Sequence, residues 1–98
     1  MRIMWDPGKS AANLEKHGVS FEEADKLLGR EAGFLVLYDE IHSCDEDRFI
    51  AVGRVRHRVI VVVFSEPDDD ELRIISARVA TTAERGLYEK YEKEHFHE

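Results

Sequence analysis

RVIVVVFS, from Arg58 to Ser65, contains the longest apolar run of the chain and predicts the centre of its sheet. Its central residues, 59–64, are all apolar, so a strand formed here would be buried on both faces. This pattern is typical of a central strand that helices cover on at least one side. The run is far too short to cross a bilayer, which takes about 20 apolar residues in a helix.

The same strand pattern recurs on both sides of this stretch, separated by acidic or glycine-bearing turns, at Phe34 to Tyr38, Arg48 to Gly53 and Leu72 to Arg78. Neither the segment from Gly53 to Arg58 nor the one around Pro67 to Asp70 has room for a crossover helix. Consecutive strands are therefore predicted to pair as an antiparallel meander. Met1 to Trp5 reads as a further short strand at the start of the chain.

Two helices are predicted before the meander. Asp6-Pro7 marks the entry to the first, roughly Gly8 to His17, and Gly18 ends it. Ser20 and Glu23 have the spacing of a capping box that opens the second, and Gly29 closes it. The apolar residues of the second helix recur at helical intervals and predict a stripe facing the core: Phe21, Ala24, Leu27 and Leu28.

A third helix follows the meander. Thr81 and Glu84 form a second capping box, and the helix runs from about Thr82 into a charged tail. Its predicted apolar stripe is Leu87, Tyr88 and Tyr91. The sequence thus predicts one α+β domain over residues 1–98, with an antiparallel sheet meander, two N-terminal helices and a C-terminal helix.

The charge of the chain bears on whether it binds nucleic acid. The formal net charge of −7 disfavours the broad positive field of general nucleic-acid binders. Yet the segment from Arg48 to Arg85 holds arginines and no lysine: Arg48, Arg54, Arg56, Arg58, Arg73, Arg78 and Arg85. Arginine grips phosphate or carboxylate in two places, so a focused anion site is one interpretation. Solvated strand faces with incidental ion pairs are the other.

Nothing in the sequence predicts a cofactor or a metal site. Asp39, Glu40, His42, Cys44 and Asp45 include zinc-ligand types, but they lack the paired spacing of a zinc motif and are interpreted as a solvated acidic loop. The lone Cys44 fits a reducing compartment. With no signal peptide before Trp5 and no membrane span, the expected location is the cytoplasm.

Two segments hold the candidates for chemistry. Lys9, Asn13, Lys16 and His17 gather on one side of the first helix, which is expected to be exposed. His17 is the natural group for proton transfer near neutral pH, although a histidine at a helix end is more often a cap or surface residue.

The second segment is the last strand. Alternation along Leu72 to Arg78 places Arg73 and Arg78 on opposite faces. Arg78 either binds an anion at the start of the last helix or forms a salt bridge to Glu84.

These segments resemble the BrnT family of bacterial toxins. The resemblance rests on polar residues that no general helix or strand rule requires, and it covers almost the whole chain: Trp5-Asp6, Lys9, Asn13, the run KHGVSFEEA from Lys16 to Ala24, Asp47-Arg48-Phe49, Gly53, Arg58, the run RIISAR from Arg73 to Arg78, Ala80-Thr81, Glu84-Arg85 and Tyr88.

The resemblance implies a RelE-like fold, ribonuclease activity, and neutralisation by a BrnA-like antitoxin with a ribbon-helix-helix DNA-binding domain, with dimers formed through or with that antitoxin. It also implies which residues act on RNA. Lys16, His17, Arg73 and Arg78 would be catalytic, while Lys9, Arg48 and Arg58 would contact RNA. His17 would accept the proton of a ribose 2′-hydroxyl, and Arg73 or Arg78 would offset charge on the phosphate, with no metal required.

A second hypothesis is a binding module that complexes with a DNA-binding antitoxin and co-represses its operon. The acidic composition favours it, because a basic partner would find complementary charge.

Overall fold

The predicted meander forms, and three of its four strands run longer than the apolar pattern indicates. In a computed structural model, which describes residues 2–29, 33–41 and 46–95, the elements follow the predicted order. They are β1 (Arg2–Met4), α1 (Pro7–His17), α2 (Phe21–Leu28), β2 (Phe34–Tyr38), β3 (Arg48–Val55), β4 (Arg58–Asp68), β5 (Glu71–Val79) and α3 (Thr82–His95).

All five of these strands join one sheet in the order β1-β5-β4-β3-β2. β2 to β5 pair antiparallel, as predicted, but β1 pairs parallel to β5, so the sheet is mixed. No hairpin turn joins β1 to β5: both N-terminal helices and three strands lie between them in sequence. Antiparallel pairing is therefore not imposed on β1.

Helices cover the two faces of the sheet differently. On the face called here the α2 face, Val19, Phe21, Ala24 and Leu27 pack in one core cluster with Ala51, Ile60, Val62, Phe64, Leu72, Ile74 and Ala77. On the opposite face, called the α3 face, Tyr88 packs with Val52, Val59 and Val61. α3 packs mainly over β2 and β3. The part of the α3 face nearer β1 is where the candidate site lies.

Both predicted N-caps form, but only the second is a complete capping box, since the Glu23 carboxylate bonds to Arg58 instead of to Ser20. The Ser20 hydroxyl accepts the Glu23 backbone N–H at 3.1 Å. The second box is reciprocal: Thr81 Oγ1 accepts the Glu84 N–H at 3.2 Å, and Glu84 accepts the Thr81 N–H at 2.8 Å. Gly18 ends α1 at φ +74°, in the left-handed region that favours glycine. These local signals fix where α1, α2 and α3 begin or end.

A β-bulge in β5 overturns the predicted alternation. Val63 pairs with Ser76 but the next residue, Phe64, pairs with Ile74, so Ile75 is the extra residue. As a result Leu72, Ile74 and Ala77 all reach the α2-face core. The prediction that Arg73 and Arg78 diverge was wrong. They lie opposite Ser65 and Val61 and so share the α3 face.

None of the helices formed by the described residues has the length and apolar character needed to cross a membrane.

Candidate active site

A cleft of about 640 Å³ opens where β1 ends and β3 begins. Three cationic side chains line it, each from a different element: Lys9 of α1, Arg48 of β3 and Arg73 of β5. Trp5 lies among them, with the carboxylates of Asp6 and Glu46. Cations from segments far apart in sequence therefore meet at one place.

Strand register explains how two of the arginines come together. Met4 pairs with Arg73, Arg73 with Ser65, and Ser65 with Arg48, so these residues form one row across β1, β5, β4 and β3. Residues paired in this way project to the same face of a sheet. The row lies on the α3 face, with a serine between the two arginines.

Ser65 is unusual for its burial. It is only 1% exposed, and within the described part of the chain its Oγ has no hydrogen-bond partner. A buried hydroxyl left unsatisfied costs about 1–3 kcal/mol. Ser65 does not line the cleft, so it lies beneath the two arginines rather than on the wall that a ligand would meet.

Trp5 and Asp6 shape the other wall of the cleft. Trp5 is half-buried and packs against the α2-face core. An aromatic ring beside cations suits a nucleotide base, which stacks on such surfaces for about 1–3 kcal/mol. Asp6 caps α1, since its Oδ1 accepts the Gly8 N–H at 2.8 Å.

Arg73 carries the cleft's most accessible guanidinium. It is exposed, and no ion pair joins it to any other described residue. Lys9 is also exposed, in the first turns of α1. Both can meet an anion without first breaking a salt bridge.

Arg78 has a different environment from Arg73. Its Nη1 and Nη2 each donate to Glu84 at 2.7 Å. These bonds raise the pKa of Arg78 and lower the pKa of Glu84 from 4.5 to about 2. Of the two interpretations left open for Arg78, the salt bridge to Glu84 is the one that forms.

Arg58 also forms a salt bridge to a glutamate. It is the first residue of β4, at the other end of the strand from Ser65. It donates to Glu23 at 2.6 and 3.0 Å and to the Gly18 carbonyl at 3.0 Å. Hydrogen bonding to Glu23 raises the pKa of Arg58. Arg58 and Ser65 are seven residues apart along β4, or about 23 Å, so Arg58 lies far from the cleft. Its hydrogen bonds to Gly18 and Glu23 connect the turn between α1 and α2 to the sheet.

Lys16 and His17 lie in the last turn of α1 and are exposed. They are separated from Lys9 by most of the helix: eight residues from Lys9 to His17 span about 12 Å. The seven predicted residues therefore divide into three places: the cleft, the end of α1 with Arg58, and the start of α3 with Arg78.

The predicted exposure of Asn13 was wrong. It is buried, and its Nδ2 donates to the carbonyls of Val19 and Ala77, both at 2.7 Å. Its Oδ1 accepts the Ala77 N–H at 3.3 Å. Asn13 thus provides hydrogen-bond partners for the backbone of Ala77 in β5, beyond the point where β1 ends. Its role is structural.

Sequence reasoning missed Ser65 and Glu46 and gave Trp5 no role. Ser65 reads as the last residue of an apolar strand, and only the register across three strands reveals the arginines beside it.

The predicted acidic loop includes residues 42–45, which lie outside the described residues.

The chain is similar to known proteins in both sequence and fold. Residues 5–84 match the family of ribonuclease toxins, BrnT, of type II toxin-antitoxin systems. The fold is similar to the 1.1 Å crystal structure of the Brucella abortus ribonuclease toxin BrnT, with a TM-score of 0.66 and 28% sequence identity. The similarity covers 84% of this chain and 99% of that one. No match to a curated protein was found at the level of sequence.

Proposed function

The chain belongs to the BrnT family of ribonuclease toxins of type II toxin-antitoxin systems, and we propose that it is an endoribonuclease that cuts cellular RNA in the cleft of Lys9, Arg48 and Arg73. One observation carries the proposal. In a chain of net charge −7, cations from three separate elements converge beside an aromatic ring. Low-dielectric walls focus the field of such a group on a bound phosphate.

The proposed reaction is transesterification. The ribose 2′-oxygen attacks the adjacent phosphorus, an O–P bond forms, and the bond from phosphorus to the 5′-oxygen of the next nucleotide breaks. The products are a 2′,3′-cyclic phosphate and a 5′-hydroxyl. Charge grows on the phosphate oxygens, where preorganised donors are most effective.

Each group of the cleft has a role in this step. Arg73 and Arg48 stabilise the phosphate charge in two-pronged contacts. Glu46 accepts the proton of the 2′-hydroxyl, because the cleft's other carboxylate, Asp6, is engaged in capping α1. Lys9 stabilises the leaving 5′-oxygen, which takes a proton from water to become the 5′-hydroxyl, and Glu46 returns its proton to solvent. This set supplies a base, charge stabilisation and an electrostatic aid to departure, so we propose that cleavage needs no metal ion.

A competing location for the chemistry is the end of α1. The family resemblance implies Lys16, His17, Arg73 and Arg78 as catalytic. Of these four, Lys16 and His17 lie at the end of α1 and are exposed, and an imidazole is the side chain that most often transfers protons in catalysis. Lys9 and Lys16 are seven residues apart, so they share one side of α1. RNA held in the cleft can continue along that side, with Lys16, His17 and Arg58 as flanking contacts.

The proposed partner is a BrnA-like antitoxin with a ribbon-helix-helix DNA-binding domain, acting in the cytoplasm with its toxin. The acidic chain offers complementary charge to a basic DNA-binding protein. The alternative function, a co-repressor without nuclease activity, is favoured by one observation: Arg54, Arg58 and Arg78 are all held by glutamates. Such arginines contribute less to RNA binding.

The test is inducible expression in a bacterial host, with and without the antitoxin, followed by mapping of RNA ends. Wild type should arrest growth and create new ends, and the antitoxin should suppress both. Arg73→Ala should remove the ends, whereas Arg85→Ala, an exposed arginine on α3 outside the cleft, should not.

The His17→Ala variant distinguishes between the cleft and the end of α1 as the site of cleavage. Retention of the RNA ends in His17→Ala supports the cleft, while their loss in His17→Ala together with retention in Arg73→Ala would move the chemistry to the end of α1. Normal growth and intact RNA with folded wild-type protein would favour the co-repressor.

A further inference from the structure

β2 is an edge strand of unusual composition. It pairs only with β3 among the described strands, and its five residues, FLVLY, are all apolar. Val36, Leu37 and Tyr38 are between 41 and 49% exposed. Proteins usually protect such edges with lysine, proline or a covering segment, because an exposed apolar edge pairs readily with another chain.

The backbone of β2 presents hydrogen-bonding groups outward at regular spacing. The Asp39 N–H donates to the Arg48 carbonyl at 2.9 Å, so the residues that exchange bonds with β3 are Asp39, Leu37 and Leu35. Phe34, Val36 and Tyr38 alternate with them. Their N–H and C=O groups therefore point away from the sheet, where an added strand would bond to them.

An apolar groove adjoins this edge on the α3 face. It has a volume of about 320 Å³ and lies between β2 and α3, with Leu35 and Leu37 on one wall and Leu87 and Tyr91 on the other. Leu87 belongs to the apolar stripe predicted for α3, yet it is 52% exposed. Apolar side chains of an added strand would pack here.

We propose that the outer edge of β2 and this groove bind the antitoxin, through an extended apolar segment that adds to the sheet as a sixth strand and is flanked by basic residues. The inference rests on the antitoxin partner of the proposed function, and it assigns that partner its place on the toxin.

Charge selects this occupant over a second copy of the chain. The described residues between Tyr38 and Phe49 include four carboxylates and one arginine: Asp39, Glu40, Glu46, Asp47 and Arg48. A basic segment that continues past the end of β2 meets this acidic group favourably. Two copies paired along β2 would join two chains of charge −7, which repel each other.

Two pairs of variants test the groove and the edge separately. Leu87→Glu places a charge in the groove, and Leu14→Glu is its matched control, because Leu14 is an equally exposed leucine (50%) on α1. Val36→Pro removes an outward N–H without breaking the β2–β3 ladder, and Val36→Thr keeps that N–H.

The measurement is the dissociation constant of each purified variant for the antitoxin, with growth arrest in the absence of antitoxin as the check on folding. Leu87→Glu and Val36→Pro should weaken binding by about tenfold or more while the free toxins still arrest growth. Leu14→Glu and Val36→Thr should bind like wild type.

Wild-type affinity in both Leu87→Glu and Val36→Pro would overturn the docking site and leave the proposed function standing. Equal weakening by Leu14→Glu would overturn it as well. A free toxin that is dimeric, and that Val36→Pro makes monomeric, would identify a second copy as the occupant. Failure of wild type to bind the antitoxin would remove the proposed partner and this inference together.

Discussion

At the scale of single residues, whether an arginine can bind a ligand depends on whether a carboxylate of the chain already pairs with it. Arg73 and Arg78 share one face of β5, about 15 Å apart along the strand. Glu84, the last residue of a capping box, holds Arg78, while Arg73 has no such partner among the described residues. Two arginines of one motif thus differ in environment: Glu84 anchors Arg78, while Arg73 is the residue proposed to bind phosphate.

The Arg78–Glu84 pair predicts a specific dependence of stability on pH. The folded-state pKa of Glu84 is lowered from 4.5 to about 2, so its contribution is complete above pH 4.5 and is lost as pH falls toward 2. Arg78→Gln should flatten this part of the profile. Because both side chains are partly exposed, the loss at pH 7 should be only about 1 kcal/mol.

Urea unfolding at pH 7, 5 and 3 measures this effect. Arg85→Gln is the control, since Arg85 pairs with Glu89 at 3.4 Å in an exposed position. An Arg78→Gln variant whose stability follows the wild-type pH profile would contradict the assignment of Arg78 as an anchor.

At the scale of elements, α1 serves as a substitute for a strand. β1 is only three residues long, so the later part of β5 has a strand neighbour on the β4 side alone. Asn13 supplies the missing bonds, donating to the Ala77 carbonyl and accepting its N–H. A side-chain amide can replace a peptide group in this way because it has the same donor and acceptor.

Asn13→Ala should therefore destabilise the fold. It leaves the buried N–H and C=O of Ala77 without partners, which should lower the free energy of unfolding by about 2–3 kcal/mol. Denaturant unfolding measures it, with Glu15→Ala on the exposed side of α1 as the control. A loss below about 0.5 kcal/mol would show that water replaces the amide.

Two glycines predict changes of opposite sign. A Cβ on Gly53 would lie 2.4 Å from Leu27 Cδ1 and 2.8 Å from Phe34 Cβ, because α2 packs closely over β3. Gly53→Ala should cost about 1–3 kcal/mol from overpacking. Gly86, within α3, has no heavy atom within 4 Å of such a Cβ, so Gly86→Ala should gain about 0.5–1 kcal/mol.

Thermal unfolding of the two variants, run side by side, tests this pair. A Gly53→Ala protein as stable as wild type would mean that Leu27 and Phe34 move aside without cost.

These elements also mark how far sequence reasoning reaches. Turn lengths and capping residues were enough to predict the meander and all three helices, because such signals act within a few residues. The parallel β1 and the bulge at Ile75 were not predictable, since both are set by pairing between distant strands. The cleft depends on that pairing. Its cations could be named from the sequence, but their separation from His17, Arg58 and Arg78 could not.

At the scale of the whole molecule, charge and apolar surface are divided between the two edges of the sheet. The cleft extends from the β1 edge across to β3 and concentrates positive charge in an acidic protein. The β2 edge and its groove leave apolar surface uncovered at the other side. The chain belongs to a family of ribonuclease toxins of toxin-antitoxin systems, and the cleft and the β2 edge are the surfaces proposed here for RNA and for the antitoxin.

A metal-independent active site in the cleft is tested by the rate at which purified toxin cleaves RNA in the presence of a chelator, compared between Arg73→Ala and Arg78→Ala. Arg73→Ala should lower the rate by about 100-fold or more, as expected for loss of a group that stabilises transition-state charge. Arg78→Ala should stay within a few-fold of wild type, and the products should end in 2′,3′-cyclic phosphate. Full activity in Arg73→Ala, or activity abolished by the chelator, would contradict a metal-independent active site in the cleft.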